Sequence, residues 1–347
     1  MANELVDPGL DTDISGGVPV VLDRPVGKAE SSTTEDGHPV LKKSIEWLRC
    51  TPFLILHATV FTVFLVGWSW VAVGAAVFML ALRTFAITGF YHRYFSHRSF
   101  KTSRWFQFLW AFIGNMSVQK GPIWWAAHHR HHHLHSDDEH DVHSPVTHSF
   151  LFSHMGWFMT DENYNFSREG AGELRKFPEL RFLDRFDYFA PVVLGVGMFL
   201  LGVGLNAYWP ASETSHDLWG YRATSGWQML VWGFVISTLI CYHFTYSINS
   251  VAHVIGKRRF KTKDESRNNL LLALITFGEG WHNNHHRYQS SVRQGFYWWE
   301  IDITYYILTM MSWCGLVWDL TPVPERVLNE GKMLDQEKKA ARKSVGH

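Results

Sequence analysis

Residues 52–97 read PFLILHATVFTVFLVGWSWVAVGAAVFMLALRTFAITGFYHRYFSH. From Pro52 to Tyr91 the only charge is Arg83. A bilayer core needs about 20 apolar residues per helix, so this run is long enough for two spans, about 52–69 and 71–91. The turn falls near Gly67-Trp68-Ser69-Trp70. The apolar run ends directly on His92-Arg-Tyr-Phe-Ser-His97. A hydrocarbon-length helix that delivers imidazoles as it leaves the membrane points to a membrane protein with chemistry at its surface.

Working outward, a second pair of spans is expected at 188–208 and 227–248. Their connection, Trp209 to Gly226, carries Glu213 and Asp217 against Arg222. The opposite side carries Lys42, Lys43, Arg49, Arg93, Arg98, Lys101, Arg104 and Lys257-Arg258-Arg259. The positive-inside rule therefore places both termini and the long central segment in the cytoplasm. Phe106 to Val118 is too short to span and reads as an interfacial or buried helix. Ile303 to Trp318 is also short. As a fifth span it would carry the basic residues Lys338, Lys339, Arg342 and Lys343 outside, so it is assigned to the cytoplasmic side, against the membrane. The fold class expected is all-α: four transmembrane helices under a helical cytoplasmic cap built from 92–187 and 249–330. Residues 1–44 are polar and read as a disordered cytoplasmic tail without signal-peptide character. The integral membrane domain covers 45–330, and 331–347 form a basic tail.

Composition sets limits on function. The 347 residues hold 32 basic and 32 acidic side chains, 18% charged against 46% apolar. A balanced chain has no net positive field for nucleic acid. Cys50, Cys241 and Cys314 are isolated, which excludes a disulfide scaffold, a zinc ribbon and an iron–sulfur site. The 17 Trp suit membrane interfaces. The 21 His require another explanation.

The histidines cluster. Besides His92 and His97 there are His129-Arg-His131-His132-His133 and His282-Asn-Asn-His285-His286. The latter two share H-x-x-H-H. On a helix i, i+3 and i+4 lie on one face, and adjacent His132 and His133 differ by about 100°, so they can point at two neighbouring ions. Asn249-Ser-Val-Ala-His253 follows the fourth span with i, i+4 spacing. Nine imidazoles exceed the about four ligands of a zinc ion and the one or two of a haem, and suit a two-metal centre. Imidazole suits iron, copper, zinc and nickel alike, so ligand type does not choose the metal.

These motifs resemble the membrane fatty acyl desaturases of the stearoyl-CoA (acyl-CoA Δ9) desaturase type, in style closest to bacterial members. The resemblance covers about residues 45–320, through H-R-x-x-S-H at 92–97, H-R-x-H-H at 129–133, N-S-x-A-H at 249–253 and G-E-G-x-H-N-x-H-H at 278–286. It implies metal ligands His92, His97, His129, His132, His133, His253, His282, His285 and His286, with Asn249 acting through water. It implies two iron ions, with O2 as co-substrate. The implied reaction takes two hydrogens from adjacent methylenes of a saturated acyl chain, giving a cis double bond, expected at Δ9, and water. An acyl-CoA is the expected substrate. The alternatives are an acyl lipid substrate, a histidine-box hydroxylase, decarboxylase or acetylenase, and, from another class, a metal-binding transporter. Glu279 is expected to support a ligand imidazole, and Ala75, Ala76, Met79 and Trp227 to line the acyl tunnel.

Other residues read more plainly. His128, His131, His135, His140, His143, His148 and His154 fall off the motif and are expected at the surface or behind the ligands. Asp137, Asp138, Glu139 and Asp141 read as a solvated acidic loop, with a role in orienting ligands as the alternative. Trp124-Trp125 and Trp298-Trp299 read as interface or core. Arg83 either has a role inside the membrane or snorkels to its edge. Animal acyl-CoA enzymes carry basic CoA contacts where this chain has Ala127-His128 and Asp161-Glu162, although Ser153-His154-Met155-Gly156-Trp157 is intact. CoA would then need Arg98, Lys101, Arg104 or Lys120. No H-P-G-G haem motif, iron–sulfur cysteines or G-x-G-x-x-G is present, so a separate cytochrome b5 or ferredoxin with its reductase is the expected electron donor. The location expected is a multi-pass membrane protein with a cytoplasmic active site, in the plasma (inner) membrane if bacterial.

Overall fold

A computed structural model describes residues 45–208 and 224–345. The expected tail 1–44 and the loop carrying Glu213, Asp217 and Arg222 lie outside them. Among the described residues four helices are long and apolar enough to cross a membrane: Trp47–Val66, Trp70–Ser96, Phe189–Tyr208 and Gly226–Val254. The first two are separated by Gly67, whose φ of 68° suits a residue without a Cβ, and by Ser69, whose Oγ caps the second helix by accepting from Ala72 N at 3.1 Å.

The second and fourth spans have 27 and 29 residues. About 20 suffice to cross, so each extends beyond the apolar run and carries its histidines on the surplus turns. Sequence hydropathy ends these spans at 91 and 248; the helical hydrogen bonding continues through the polar residues that follow. Along Ala86–Ser96 the second span is wound as a π-helix. Residues five apart on an α-helix are offset by about 140°, whereas a π turn closes i to i+5. The bond from His97 N to His92 O, 3.2 Å, is of that kind and stacks the two histidines on one side.

The cap is layered on the histidine-bearing half of the second span. Arg104–Asn115 packs there through Trp110, stacked on Phe90 at 5.0 Å and edge-on to Phe85 at 4.8 Å. Lys101–Thr102 pairs antiparallel with Val317–Trp318. Ile303–Trp313 is a single short helix capped by Asp302 and joined to the second span through Thr88 and Thr304, 2.7 Å apart. At the far end of the membrane domain the third and fourth spans touch backbone to backbone. A Cβ on Gly202 would overlap the Ser225 carbonyl.

The expected boundary at 330 falls inside a helix. Helix Glu325–Val345 runs through it. Val327 is buried against Phe260, Phe296 and Tyr297, and Arg287–Glu330 (2.5 Å) and Arg259–Asp335 (3.1 Å) tie the helix to the cap. Its basic composition concealed an apolar stripe of only a few residues. Arg83 does not snorkel. It is fully buried, donating to Met79 O, Met116 O, Thr238 Oγ1 and Ser237 Oγ, and so links the second span to the fourth.

Candidate metal centre

Four segments bring nine histidines into two groups. His92, His97, His129, His133 and His285 form one; His132, His253, His282 and His286 form the other. Helix Pro122–His135 feeds both. It starts with proline at its first position, where no N–H is needed, and its i, i+4 pair His129 and His133 faces the five-histidine group while His132 turns to the other. Helix His282–Arg287 does the reverse, giving His282 and His286 to the four-histidine group and His285 to the five.

In the five-histidine group the Nε2 atoms form a closed ring. Successive separations are 3.1 Å (His92–His97), 2.8 Å (His97–His129), 2.9 Å (His129–His133), 2.9 Å (His133–His285) and 3.1 Å (His285–His92). Hydrogen bonds cannot satisfy this ring. Each Nε2 is either a donor or an acceptor, and five members cannot alternate. A central cation satisfies all five lone pairs. Nitrogens about 2.1 Å from one ion at near right angles lie about 3 Å apart, as found here. In the second group His253 Nε2 and His282 Nε2 are 3.0 Å apart, and buried His286 Nε2 has no hydrogen-bond partner. The donor set of both groups therefore fits metal ions.

Electrostatics prepare the lone pairs. Burial, reinforced by neighbouring imidazoles, pushes His97, His129, His133, His282 and His285 well below the usual histidine pKa. Burial takes His286 to about 4 against the pull of Asp264, and His143 to about 3. His132 goes the other way, raised by Asp141 in spite of burial. Neutral imidazole is the ligand form. Unfolded histidine titrates near ~6.5, so the unfolded chain takes up protons first as pH falls. The stabilisation held by the depressed histidines is complete above about 6.5 and is lost as pH falls below it, for His286 through about 4. The chelator-treated protein is expected to melt at a distinctly lower temperature at pH 5 than at pH 7.5; equal midpoints would contradict the buried neutral histidines.

Behind the imidazoles stand carboxylates. Glu279 Oε2 is 2.5 Å from His92 Nδ1, and its other oxygen accepts from Arg93 at 3.0 Å. His132 Nδ1 meets Asp141 at 3.0 Å, His253 Nδ1 meets Asp137 at 2.8 Å, and His286 Nδ1 meets Asp264 at 2.7 Å. The reading of Asp137 and Asp141 as solvated is thus corrected: Asp141 is fully buried, and Asp137 is held by His253, Ser144 and Glu265 N. Asp138 and Glu139 are exposed, beside His135 and His140. Sequence reading missed Asp264, Gln294 and Asp302. Gln294 donates to Glu279 at 2.9 Å, and Asp302 pairs with Arg93 at 3.0 Å. Spacing gave no signal for these, since the partners join segments far apart in the chain.

A cavity opens between the second and fourth spans. Its lower wall is Thr84, Ile87, Thr88, Phe244, Thr245 and Ile248, with Trp125 alongside. Its upper end reaches His92 and His129 of one group, His132 and His282 of the other, and also Asn249 and Glu279. Ala75, Ala76, Met79 and Trp227 are not among its lining residues. Met79 and Ala76 are buried one and two turns beyond Arg83, which crosses the same interface. Trp227 is 62% exposed and packs edge-on to Phe199 at 5.0 Å on the third span.

Of the remaining histidines, His128 is core, stacked 3.9 Å from Phe166. His131 meets the His140 carbonyl and the rings of His135 and Phe166, and His154 pairs with His243 and Ser250. The four cations expected to serve CoA are each held by a carboxylate: Arg98–Glu173 at 2.5 Å, Lys101–Asp319 at 2.9 Å, Arg104–Glu179 at 2.7 Å and Lys120–Asp187 at 3.1 Å. Asp161 pairs with Arg49, and the side chain of Glu162 lies outside the described residues.

The model of the fatty acid desaturase family matches residues 68–310. Over 259 residues the chain is 36% identical to a palmitoyl-monogalactosyldiacylglycerol delta-7 desaturase of Arabidopsis thaliana, covering 73% of this chain and 63% of that protein, less than two thirds of its length. It is 33% identical over 278 residues to an sn-1 stearoyl-lipid 9-desaturase of Anabaena variabilis, covering 79% and 93%. It is 34% identical over 247 residues to an acyl-CoA C20 Delta5-desaturase of Anemone leveillei, covering 70% and 71%.

Proposed function

This chain belongs to the fatty acid desaturase family, and from that premise we propose that it inserts a cis double bond, at Δ9, into a saturated fatty acyl chain in an O2-dependent reaction. One mole of chain and one of O2, with two electrons and two protons, give the monoene and two waters. The observation that carries the reading is the cavity, whose apolar wall ends on imidazoles of both histidine groups. An unactivated methylene offers nothing for a side-chain acid or base to attack. Two iron ions, held by His92, His97, His129, His133 and His285 and by His132, His253, His282 and His286, with Asn249 through water, would supply the O2-derived oxidant.

The chain's own residues do the positioning. Thr84, Ile87, Thr88, Phe244 and Ile248 exclude water and hold the methylenes beneath the histidines, which fixes the carbons that react. Glu279, Asp141, Asp137 and Asp264 fix imidazole tautomers by accepting from Nδ1, leaving each Nε2 lone pair for metal. Electrons come from a separate cytochrome b5 or ferredoxin with its reductase. The charge asymmetry of the loops supports a cytoplasmic centre and cytoplasmic termini, which in a bacterium means the plasma (inner) membrane.

Resemblance favours acyl-CoA as the carrier. A second reading, an acyl lipid, is favoured by the ion pairs that engage Arg98, Lys101, Arg104 and Lys120, since a CoA phosphate would have to displace a carboxylate from each.

The test is expression in a yeast lacking its own desaturase, with double bonds mapped by mass spectrometry. New cis-9 monoenes are the expected product. Chains that gain one oxygen, or are shortened, would instead mark a hydroxylase or decarboxylase. In the same assay Thr84→Phe fills the cavity wall and is expected to shift the product profile to shorter chains; an unchanged profile counts against this cavity as the acyl site.

A further inference from the structure

The two histidine groups differ in the charge behind them. In the four-histidine group three of the four imidazoles back onto carboxylates: His132 onto Asp141, His253 onto Asp137 and His286 onto Asp264, at 2.7–3.0 Å. Among the described residues no lysine or arginine pairs with any of these three acids. Their other partners are neutral: Ser144 Oγ and Glu265 N for Asp137, Asp137 N and His143 N for Asp141, Thr262 Oγ1 and Ser266 N for Asp264. In the five-histidine group the one carboxylate behind an imidazole is Glu279 on His92, and it pairs with Arg93 at 3.0 Å, a cation it shares with Asp302. The Nδ1 atoms of His133 and His285 are buried there without a partner.

Charge is what distinguishes a trivalent from a divalent ion. Neutral imidazoles bind both, and their number matters less to the difference than the anions close behind them. A carboxylate accepting from Nδ1 also pushes electron density through the ring toward the metal. Resting on the di-iron reading above, we infer that the four-histidine position is the one that keeps the ferric ion when the pair holds a single electron, and that Asp137, Asp141 and Asp264 are the positioning residues that impose this order. The first electron enters the five-histidine position, converting its ferric ion to ferrous; the second reduces the ion backed by the three acids.

The experiment uses the full-length protein loaded with 57Fe in detergent, without substrate. Iron is counted first, and fewer than two per chain would sink the di-iron reading rather than this inference. With two irons, the diferric protein is titrated with dithionite, which is oxidised to sulfite as each ferric ion takes one electron. Mössbauer spectra follow the two ions. Two separated one-electron steps through a ferrous–ferric form are expected. Asp264→Asn and Asp141→Asn should bring the second step toward the first, the ferric preference of that position falling by about 10- to 100-fold. Glu279→Gln should move only the first step. A single two-electron step in the native protein overturns the inference, as do Asp→Asn variants that move the first step alone or neither. Should the aspartate variants not fold, Glu279→Gln still decides, and a shift of the second step alone overturns the inference.

Discussion

Replacing His285 with alanine is expected to abolish desaturation and to lower bound iron from two toward one per chain. His285 Nε2 lies 3.1 Å from that of His92 and 2.9 Å from that of His133, so it closes the ring of five. Its ring is buried. Alanine both opens a coordination position and removes the member that joins helix His282–Arg287 to the second span. His131→Ala is the matched control. His131 sits two residues along from His129 on the same helix, faces the His140 carbonyl, and should retain near-native iron and activity. Iron analysis alongside turnover separates the outcomes. Full activity in His285→Ala would break the ligand assignment, and loss in both variants would point to damage of helix Pro122–His135 rather than to coordination.

Arg93→Ala carries the largest expected loss of stability. Arg93 is 1% exposed and donates to Glu279 at 3.0 Å, Asp302 at 3.2 Å and Val292 O at 2.7 Å. Removing it leaves two buried carboxylates facing each other without a cation, and breaking such a pair typically costs about 3–5 kcal/mol. That is a large share of the ~5–15 kcal/mol that holds a folded domain together. Lysine should not rescue it, because the three acceptors are met by the two ends of one planar guanidinium fork. Gly278, with φ of 123°, is packed so close to Asp302 that no side chain fits between them and Arg93. Thermal unfolding in detergent, compared among native, Arg93→Ala and Arg93→Lys proteins, measures the effect. A change in melting temperature within experimental scatter would show that the acids find other partners or become protonated.

The spans and the nine histidines were legible because their signals are local. Hydrocarbon length is a run in the sequence, and H-x-x-H-H is a spacing on a single helix. The division into five and four was legible in outline from the angle between His132 and His133, and the structure adds that helix His282–Arg287 divides its histidines the opposite way. Of the acids behind the imidazoles, Glu279 was named from the sequence, Asp137 and Asp141 only as an alternative, and Asp264 not at all. Asp264 reaches His286 across 22 residues and Asp137 reaches His253 across 116, and Asp137 holds a left-handed φ of 62° that no motif announced. Trp227 misled because a tryptophan at a span end reads equally well as lining or as lipid contact. Arg83 was visible as an anomaly, but its partners are hydroxyls and carbonyls, which leave no mark in composition.

The winding of the second span sets a rule of inheritance. A π segment is a helix that carries more chain per turn than α winding needs, so the eleven residues Ala86–Ser96 behave like a stretch with a residue inserted. Loss of one codon there would let the helix relax to α winding. If the lost codon precedes His92, the two histidines, still five apart, would then be offset by about 140°. His92 and His97 could no longer face the same ion. In most surface loops a single-codon deletion is tolerated, but between Phe85 and His92 it is expected to be lethal to function. The histidine box and the geometry of its helix can therefore be passed on only together.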